Sequence, residues 1–133
     1  MQDRPSYEEL LAALERFLDE EIVPNVEGAR SFHARVAANV VRMVRRELSL
    51  QEADLDCEWS GLDELLGQVA RPQSVDALNK SLLERNEDLC ARIRLGDADS
   101  RDWASEVRAH VRNTVRNKLR VSDPALLERD ESS

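Results

Sequence analysis

The sequence predicts an all-α protein, an antiparallel bundle of about five helices, four of them long and one short. Apolar residues recur at helical spacing along most of the 133-residue chain, and no segment alternates with the period of a strand. With four glycines and four prolines, the chain has few of the turn residues that an all-β protein needs. Length and a 41% apolar content predict one domain over residues 1–124, followed by a frayed, charged tail over 125–133.

The first predicted helix begins after Ser6, because Ser6 and Glu9 have the spacing of a capping box, and it ends at Pro24. Its polar face is acidic, which places it beside one of the basic helices further along the chain. Its apolar face is expected to be buried, and the residues of that face are Tyr7, Leu10, Leu11, Leu14, Phe17, Leu18 and Ile22.

The second predicted helix runs from about residue 28 to residue 50, without glycine or proline after its start. Its expected core face comprises Phe32, Val36, Val40, Met43, Val44 and Leu48. Residues 51–60 are predicted to be an acidic connection in which Trp59 closes the end of the bundle. A short third helix is expected to follow from Ser60 and to stop before Pro72.

The fourth predicted helix begins at the N-cap Ser74 and ends near Gly96, where a helix C-terminal glycine belongs. The fifth helix runs from about Arg101 to Val121, and Pro124 ends it. It repeats the pattern of the second helix, with an apolar residue at every fourth position beside a row of arginines.

The net negative charge of the chain limits the classes of partner that it can bind. A net charge of −8 disfavours nucleic acid and anionic membranes as bulk electrostatic partners. No apolar run approaches the roughly 20 residues of a membrane span, and the N-terminus has no signal-peptide pattern. Cys57 and Cys90 have no metal-binding spacing, so a cytoplasmic protein with free thiols is expected.

No catalytic pattern is recognisable. The sequence has no nucleophile elbow and no glycine-rich phosphate loop. Asp97 and Asp99 resemble the start of a calcium loop, but Asp102 and Arg108 stand where that loop needs glycine and glutamate. We therefore predict no catalytic residues, no metal and no cofactor, and an interaction protein rather than an enzyme.

Two rows of arginines are the first candidate site. Arg35 and Arg42 belong to the second helix, and Arg108, Arg112 and Arg116 form a line along the fifth. Together they could bind an anion or the acidic surface of a partner protein. The alternative is intramolecular pairing with the acids of the first helix and of the same helices.

Three polar residues are the second candidate site. His33, Asn39 and His110 are predicted to line a pocket between the second and fifth helices, where Arg35 would hold an anionic, acyl-CoA-like ligand. The alternatives are that Asn39 forms a hydrogen bond across to another helix and that His110 packs between helices beside Glu106. Self-association through the fifth helices is a third possibility.

Several segments resemble a family of small bacterial proteins of unknown function. The most specific segment is Phe32-His33-Ala34-Arg35-Val36-Ala37-Ala38-Asn39, accompanied by Arg4-Pro5, Glu9-Leu10-Leu11, Phe17-Leu18, Pro24, Arg46-Glu47-Leu48 and Lys118-Leu119. The sequence departs from the family pattern at Asp123-Pro124-Ala125. Members are often encoded beside acyl-CoA dehydrogenase-like and aminoglycoside-phosphotransferase-like proteins. The resemblance therefore implies an accessory role with a phosphotransferase-like enzyme in acyl-CoA metabolism, and it assigns no catalytic residues.

Overall fold

The computed structural model describes residues 4–131, apart from the side chains of residues 101, 130 and 131. This part of the chain contains no strand, which confirms the all-α prediction. Its α-helices are α1 (Tyr7–Phe17), α2 (Ala29–Leu66), α3 (Val75–Arg94), α4 (Arg101–Ser122) and α5 (Pro124–Glu131). No helix within residues 4–131 is both long enough and apolar enough to cross a membrane.

The chain divides into two compact units, Met1–Leu50 and Gln51–Ser133, and the boundary between them falls inside α2. We refer to them as the N-terminal unit and the C-terminal unit and describe each by itself. The prediction of one domain over residues 1–124 stays a prediction.

Helix α2 is much longer than the sequence suggested. It is one continuous helix of 38 residues, so the prediction of a non-helical acidic connection over 51–60 is wrong. The acids of this segment have basic partners that the sequence pattern did not identify; Asp54, for example, accepts a hydrogen bond of 2.6 Å from Arg120. Its apolar residues continue at helical spacing through Trp59 to Leu62, and both are buried.

The N-terminal unit begins with the predicted capping box. The Ser6 backbone amide donates to the Glu9 carboxylate at 2.8 Å, and the Glu9 amide donates to the Ser6 hydroxyl at 3.2 Å. After α1, a π-helical turn and a short 3₁₀ turn lead the chain back to α2. Arg45 pairs with Glu8 and Arg42 pairs with Asp19, so α1 and the first half of α2 run antiparallel. The prediction that the acidic helix packs beside a basic helix is confirmed.

Packing within the N-terminal unit differs from the prediction. Its buried residues, among those described, are two alanines, Ala34 and Ala38. The predicted core face is wrong for the larger residues, which are between 41% and 62% exposed: Tyr7, Leu10, Leu14, Phe17, Phe32, Val36, Val40, Val44 and Leu48. Ala34 and Ala38 lie two turns and one turn before Arg42, which pairs with Glu15 of α1, so the alanines lie on the side of α2 that faces α1. The larger apolar residues of α2 consequently point away from α1.

The C-terminal unit has a conventional core. Its buried apolar residues come from three helices and form one cluster, comprising Trp59, Leu62, Leu65, Leu78, Leu82, Leu89 and Val107. Arg85 is buried beside this cluster, where its guanidinium lies 4.6 Å from the centroid of the Trp59 ring. It donates to the Asp63 carboxylate at 2.7 Å and to the Gly67 carbonyl at 2.8 Å, so its charge is paired.

The later helix boundaries follow the sequence closely. Ser74 caps α3 by accepting from the Ala77 amide at 3.3 Å, and Gly96 adopts a left-handed conformation with φ of 91° after α3. Pro124 ends α4 but is also the first residue of α5, a position that suits its fixed φ. The segment assigned to a frayed tail, 125–133, is therefore helical as far as Glu131, and residues 132–133 lie outside the described residues.

Candidate functional site

The arginines of α2 in the N-terminal unit are paired within that unit. Arg42 donates to the Glu15 carboxylate at 3.0 Å and also pairs with Asp19. Arg45 donates to Glu8 at 2.8 Å and also pairs with Glu15. Hydrogen bonding to Asp19 raises the pKa of Arg42, and hydrogen bonding to Glu8 and Glu15 raises that of Arg45. Arg42 therefore follows the intramolecular alternative in this structure.

The arginines of α4 lie on an outward face of the C-terminal unit. Arg108, Arg112 and Arg116 are exposed and follow one another at four-residue spacing. We call this surface the α4 basic face; it forms a shallow depression of about 550 Å³, and its lining residues are Ser105, Arg108, Ala109, Arg112, Asn113 and Arg116. Within the described part of the chain, neither Arg108 nor Arg112 has a carboxylate partner. Their guanidinium groups are available to a ligand or a partner.

The remaining candidates in the N-terminal unit are on its surface. Arg35 is exposed, and so is His33, whose ring meets the Phe32 ring edge-on at a centroid distance of 5.6 Å. Asn39 is also exposed, so the prediction that it lies near the core-facing side of its helix is wrong. The proposed pocket combining His33 and Asn39 with His110 stays a prediction, since His110 belongs to the other unit.

His110 lies in a cleft that the sequence did not reveal. The cleft has a volume of about 720 Å³ and lies between the last turns of α2 and the first half of α4. Its lining residues are Cys57, Ser60, Gly61, Glu64, Leu65, Glu106, Ala109, His110 and Asn113. We call it the His110 cleft. The predicted neighbours Glu106 and His110 both line it. Of its five α2 residues, Cys57 and Ser60 fall in the segment that was predicted to be a connection.

The imidazole of His110 is held against the backbone of α2. A Cβ atom added to Gly61 would lie 2.3 Å from Nδ1 of His110, so only glycine leaves room for the ring in this position. The other ring nitrogen, Nε2, is buried and has no hydrogen-bond partner among the described residues. Burial lowers the pKa of His110, so the neutral ring is favoured.

The cleft also contains a thiol and two carboxylates. Asn113 donates to Sγ of Cys57 at 3.0 Å, which fixes the amide at one end of the cleft. Glu64 and Glu106 supply negative charge. Among residues 4–131, no three histidine, cysteine or acidic side chains are grouped closely enough to hold a metal ion. The arrangement offers the carboxylates of Glu64 and Glu106 to a neutral or cationic molecule.

Comparison with known proteins identifies a family. Residues 24–126 match the family described as Domain of unknown function (DUF6285). No protein of curated function and no solved structure matches the chain. A family of unknown function agrees with the resemblance seen in the sequence. Because the match extends over most of its length, the chain belongs to the DUF6285 family.

Proposed function

We propose that this member of the DUF6285 family is a helical interaction protein, rather than an enzyme, and that the α4 basic face binds an acidic surface of a partner protein. One observation carries the proposal. Arg108 and Arg112 have no carboxylate partner within residues 4–131, whereas Arg42 and Arg45 are paired with the acids of α1. The chain therefore pairs Arg42 and Arg45 internally and leaves the side chains of Arg108 and Arg112 exposed to solvent.

The chemistry of the face suits a row of carboxylates. Guanidinium groups bind carboxylates through two parallel hydrogen bonds, which gives directional recognition as well as attraction. Residues four apart on a helix are about 6 Å apart along its axis, a spacing that acidic residues on a partner helix can match. Between Ser105 and Arg120 there are five bases and one acid, so this region is locally positive in an acidic protein. Such a field accelerates association with an acidic surface.

The family resemblance suggests what the partner is. Members are often encoded beside phosphotransferase-like and acyl-CoA dehydrogenase-like proteins, so we propose a phosphotransferase-like enzyme of acyl-CoA metabolism as the partner. The complex would form in the cytoplasm of a bacterium. Neither nucleic acid nor a membrane is part of this proposal.

Charge reversal tests the face directly. The tagged chain is used to capture partners from its native cell, and a variant carrying Arg108→Glu, Arg112→Glu and Arg116→Glu is compared with it. A matched control reverses three exposed arginines elsewhere, Arg16, Arg30 and Arg94, and so has the same net charge. We expect the first variant to lose a stoichiometric partner that the wild type and the control retain.

The dependence of capture on salt concentration and the identity of the captured protein make this test more specific. Capture through exposed guanidinium groups should weaken as ionic strength rises, because salt screens such charges. Equal capture by both variants would remove the α4 basic face from consideration. Capture of a partner unrelated to phosphotransferases would support the α4 basic face as the binding surface but reject the proposed link to acyl-CoA metabolism.

A second candidate function is the binding of a small molecule in the His110 cleft. The observation that favours it is an open cleft in which the carboxylates of Glu64 and Glu106 lie beside His110, whose ring packs against Gly61. The acidic lining of this cleft suits a neutral or cationic ligand, while the anionic, acyl-CoA-like ligand considered from sequence would need Arg35. Thermal shifts with acetyl-CoA and with 1,4-diaminobutane, on wild type, His110→Ala and Arg35→Ala, separate these possibilities. A shift that neither substitution changes would reject both sites.

A further inference from the structure

The N-terminal unit presents an uncovered apolar surface that the α4 basic face does not explain. The surface belongs to the antiparallel hairpin of α1 and the first half of α2. We call it the hairpin apolar face, and its residues are Tyr7, Leu10, Leu14 and Phe17 of α1 with Val40, Val44 and Leu48 of α2. We propose that a second copy of this chain packs on the hairpin apolar face and that the two hairpins form an intermolecular four-helix bundle.

The residues of α1 in this face have the spacing of a bundle seam. Successive members are three, four and three positions apart, which is the pattern that helices use to pack along a shared core. At about 100° per residue, all four lie on one side of the helix, and the charged residues of α1 lie on the other. The acids Glu8 and Glu15 of that opposite side pair with α2. The seam of α1 is therefore uninterrupted by charge.

The two helices turn their apolar residues to the same side of the hairpin. On α2, Val40, Val44 and Leu48 lie about 110° around the helix from the face that carries Ala38 and Arg45 and contacts α1. On α1, Glu15 marks the face that contacts α2. The exposed apolar residues of α1 lie about the same angle away from that face, and in the same direction of rotation when each helix is viewed along its own chain direction. Because the helices are antiparallel, equal rotations in the same sense bring both stripes to one side. They form one continuous surface.

The size of this surface fits an interface between protein chains. Each of its seven side chains is between 41% and 62% exposed, and two of them are aromatic. Aromatic side chains bury on the order of 150–250 Å² each, so the half-exposed Tyr7 and Phe17, together with five half-exposed leucines and valines, leave several hundred Å² of apolar surface in contact with water. A standard interface buries about 800 Å² per partner, and monomers rarely expose apolar patches larger than a few hundred Å².

A second copy is the occupant that the charges favour. The hairpin is close to neutral, with seven bases and eight acids between residues 4 and 50, although the whole chain carries −8. Two hairpins can therefore approach without the repulsion that the rest of the chain would impose. Arg42 and Arg45 already neutralise the neighbouring acids, so the face requires no partner of opposite charge. An isologous contact would close with two-fold symmetry, and four antiparallel helices supply the enclosed core that two helices lack.

The test is the mass of the full-length chain in solution. We expect light scattering after size exclusion to give the mass of two chains. The variant Leu14→Glu places a charge in the centre of the face and should give the mass of one chain with unchanged helical circular dichroism. The matched control is Leu83→Glu, at an exposed leucine of α3 outside the face, and it should retain the mass of two chains.

A milder variant and a second readout guard against loss of folding. The double variant Leu10→Ser and Leu14→Ser removes apolar surface without adding charge and should also give one chain. The melting temperature of the wild type should rise with protein concentration, and that of the double variant should not.

Three results would overturn the proposal. One is a wild type with the mass of one chain at all concentrations, and another is a dimer that Leu14→Glu leaves intact. The third is a control variant that dissociates as readily as Leu14→Glu. Because the α4 basic face lies in the other unit, its charge reversal should leave the two-chain mass unchanged, so the two proposals fail independently.

Discussion

The two units of this chain both pack helices against α2, yet they bury different kinds of residue. In the C-terminal unit, seven apolar side chains from α2, α3 and α4 form a closed cluster with Trp59 and Leu62 inside it. In the N-terminal unit, the residues found buried are Ala34 and Ala38. The same amphipathic pattern therefore builds a core in one unit and an exposed surface in the other.

The number of helices explains this difference. Three helices enclose a space between them, so residues facing that space lose contact with water on every side. Two helices share only the line along which they touch, and small residues on that line bring the axes closest. Larger apolar residues beside the line stay exposed unless further helices cover them. The N-terminal unit consequently leaves its larger apolar residues exposed, and we propose that a second chain covers them.

The largest expected effect comes from breaking the closed core. Leu62 is fully buried, so Leu62→Ala should lower the free energy of unfolding by about 2–5 kcal/mol. Leu14→Ala, measured at a dilution where the chain is monomeric, should cost well under half as much, because Leu14 is 45% exposed. Urea unfolding followed by circular dichroism gives both values. Equal losses would mean that the hairpin apolar face is covered within the monomer.

The next effect concerns the buried charge of the C-terminal unit. Arg85→Met keeps most of the side-chain volume but leaves the Asp63 carboxylate and the Gly67 carbonyl without their donor. We expect a loss of about 2–3 kcal/mol, since buried polar groups without partners are costly. Arg71→Met removes an exposed pair with Asp56 and should cost no more than about 1 kcal/mol. A similar loss in both variants would contradict a structural role for Arg85.

Local features of the fold were predictable, and long-range features were not. The Ser6 capping box, the Ser74 cap and the Gly96 terminus depend on residues close in sequence, and all three are confirmed. The continuation of α2 through 51–60 depends on partners far along the chain, such as Arg120. Which of several apolar stripes faces inward also depends on how many helices surround it. Periodicity alone carries no information on that number.

The candidate sites show the same division. The exposed α4 row could be predicted from four-residue spacing, although the lack of carboxylate partners for Arg108 and Arg112 within residues 4–131 could be seen only in the structure. The His110 cleft depends on Gly61, a glycine inside a helix 49 positions before His110 in the chain. A glycine in a helix interior weakens the helix, and this cost was the one signal in the sequence that another group approaches there.

The contact between Gly61 and His110 predicts that the effect of Gly61→Ala on stability reverses when the imidazole is removed. In the His110→Ala background, Gly61→Ala should stabilise the protein by about 1 kcal/mol, because alanine favours the helix. In the wild type, the new methyl group would overlap the imidazole, so the same substitution should give no gain or a loss. A double-mutant cycle from urea unfolding measures the coupling. The same gain in both backgrounds would show that the ring moves aside without cost.

The smallest expected effect is the pH dependence that His110 contributes. Burial lowers its pKa in the folded state, against the opposing influence of Glu58 and Glu64 and with the support of Lys118. A lowered pKa means that the unfolded chain binds the proton more readily. The contribution of the neutral ring to stability is therefore present above the unfolded pKa of about 6.5 and is lost as the pH falls through the folded pKa.

His110→Gln isolates this contribution, because every other titrating group, including the exposed His33, is common to the two proteins. The stability of the wild type relative to the variant, measured by thermal unfolding between about pH 8 and pH 5, should fall as the pH falls. The change should be small, since the ring is only half-buried. A relative stability that rises toward low pH would mean that Glu58 and Glu64 outweigh burial. The His110 cleft would then hold a charged imidazole and would no longer suit a cationic ligand.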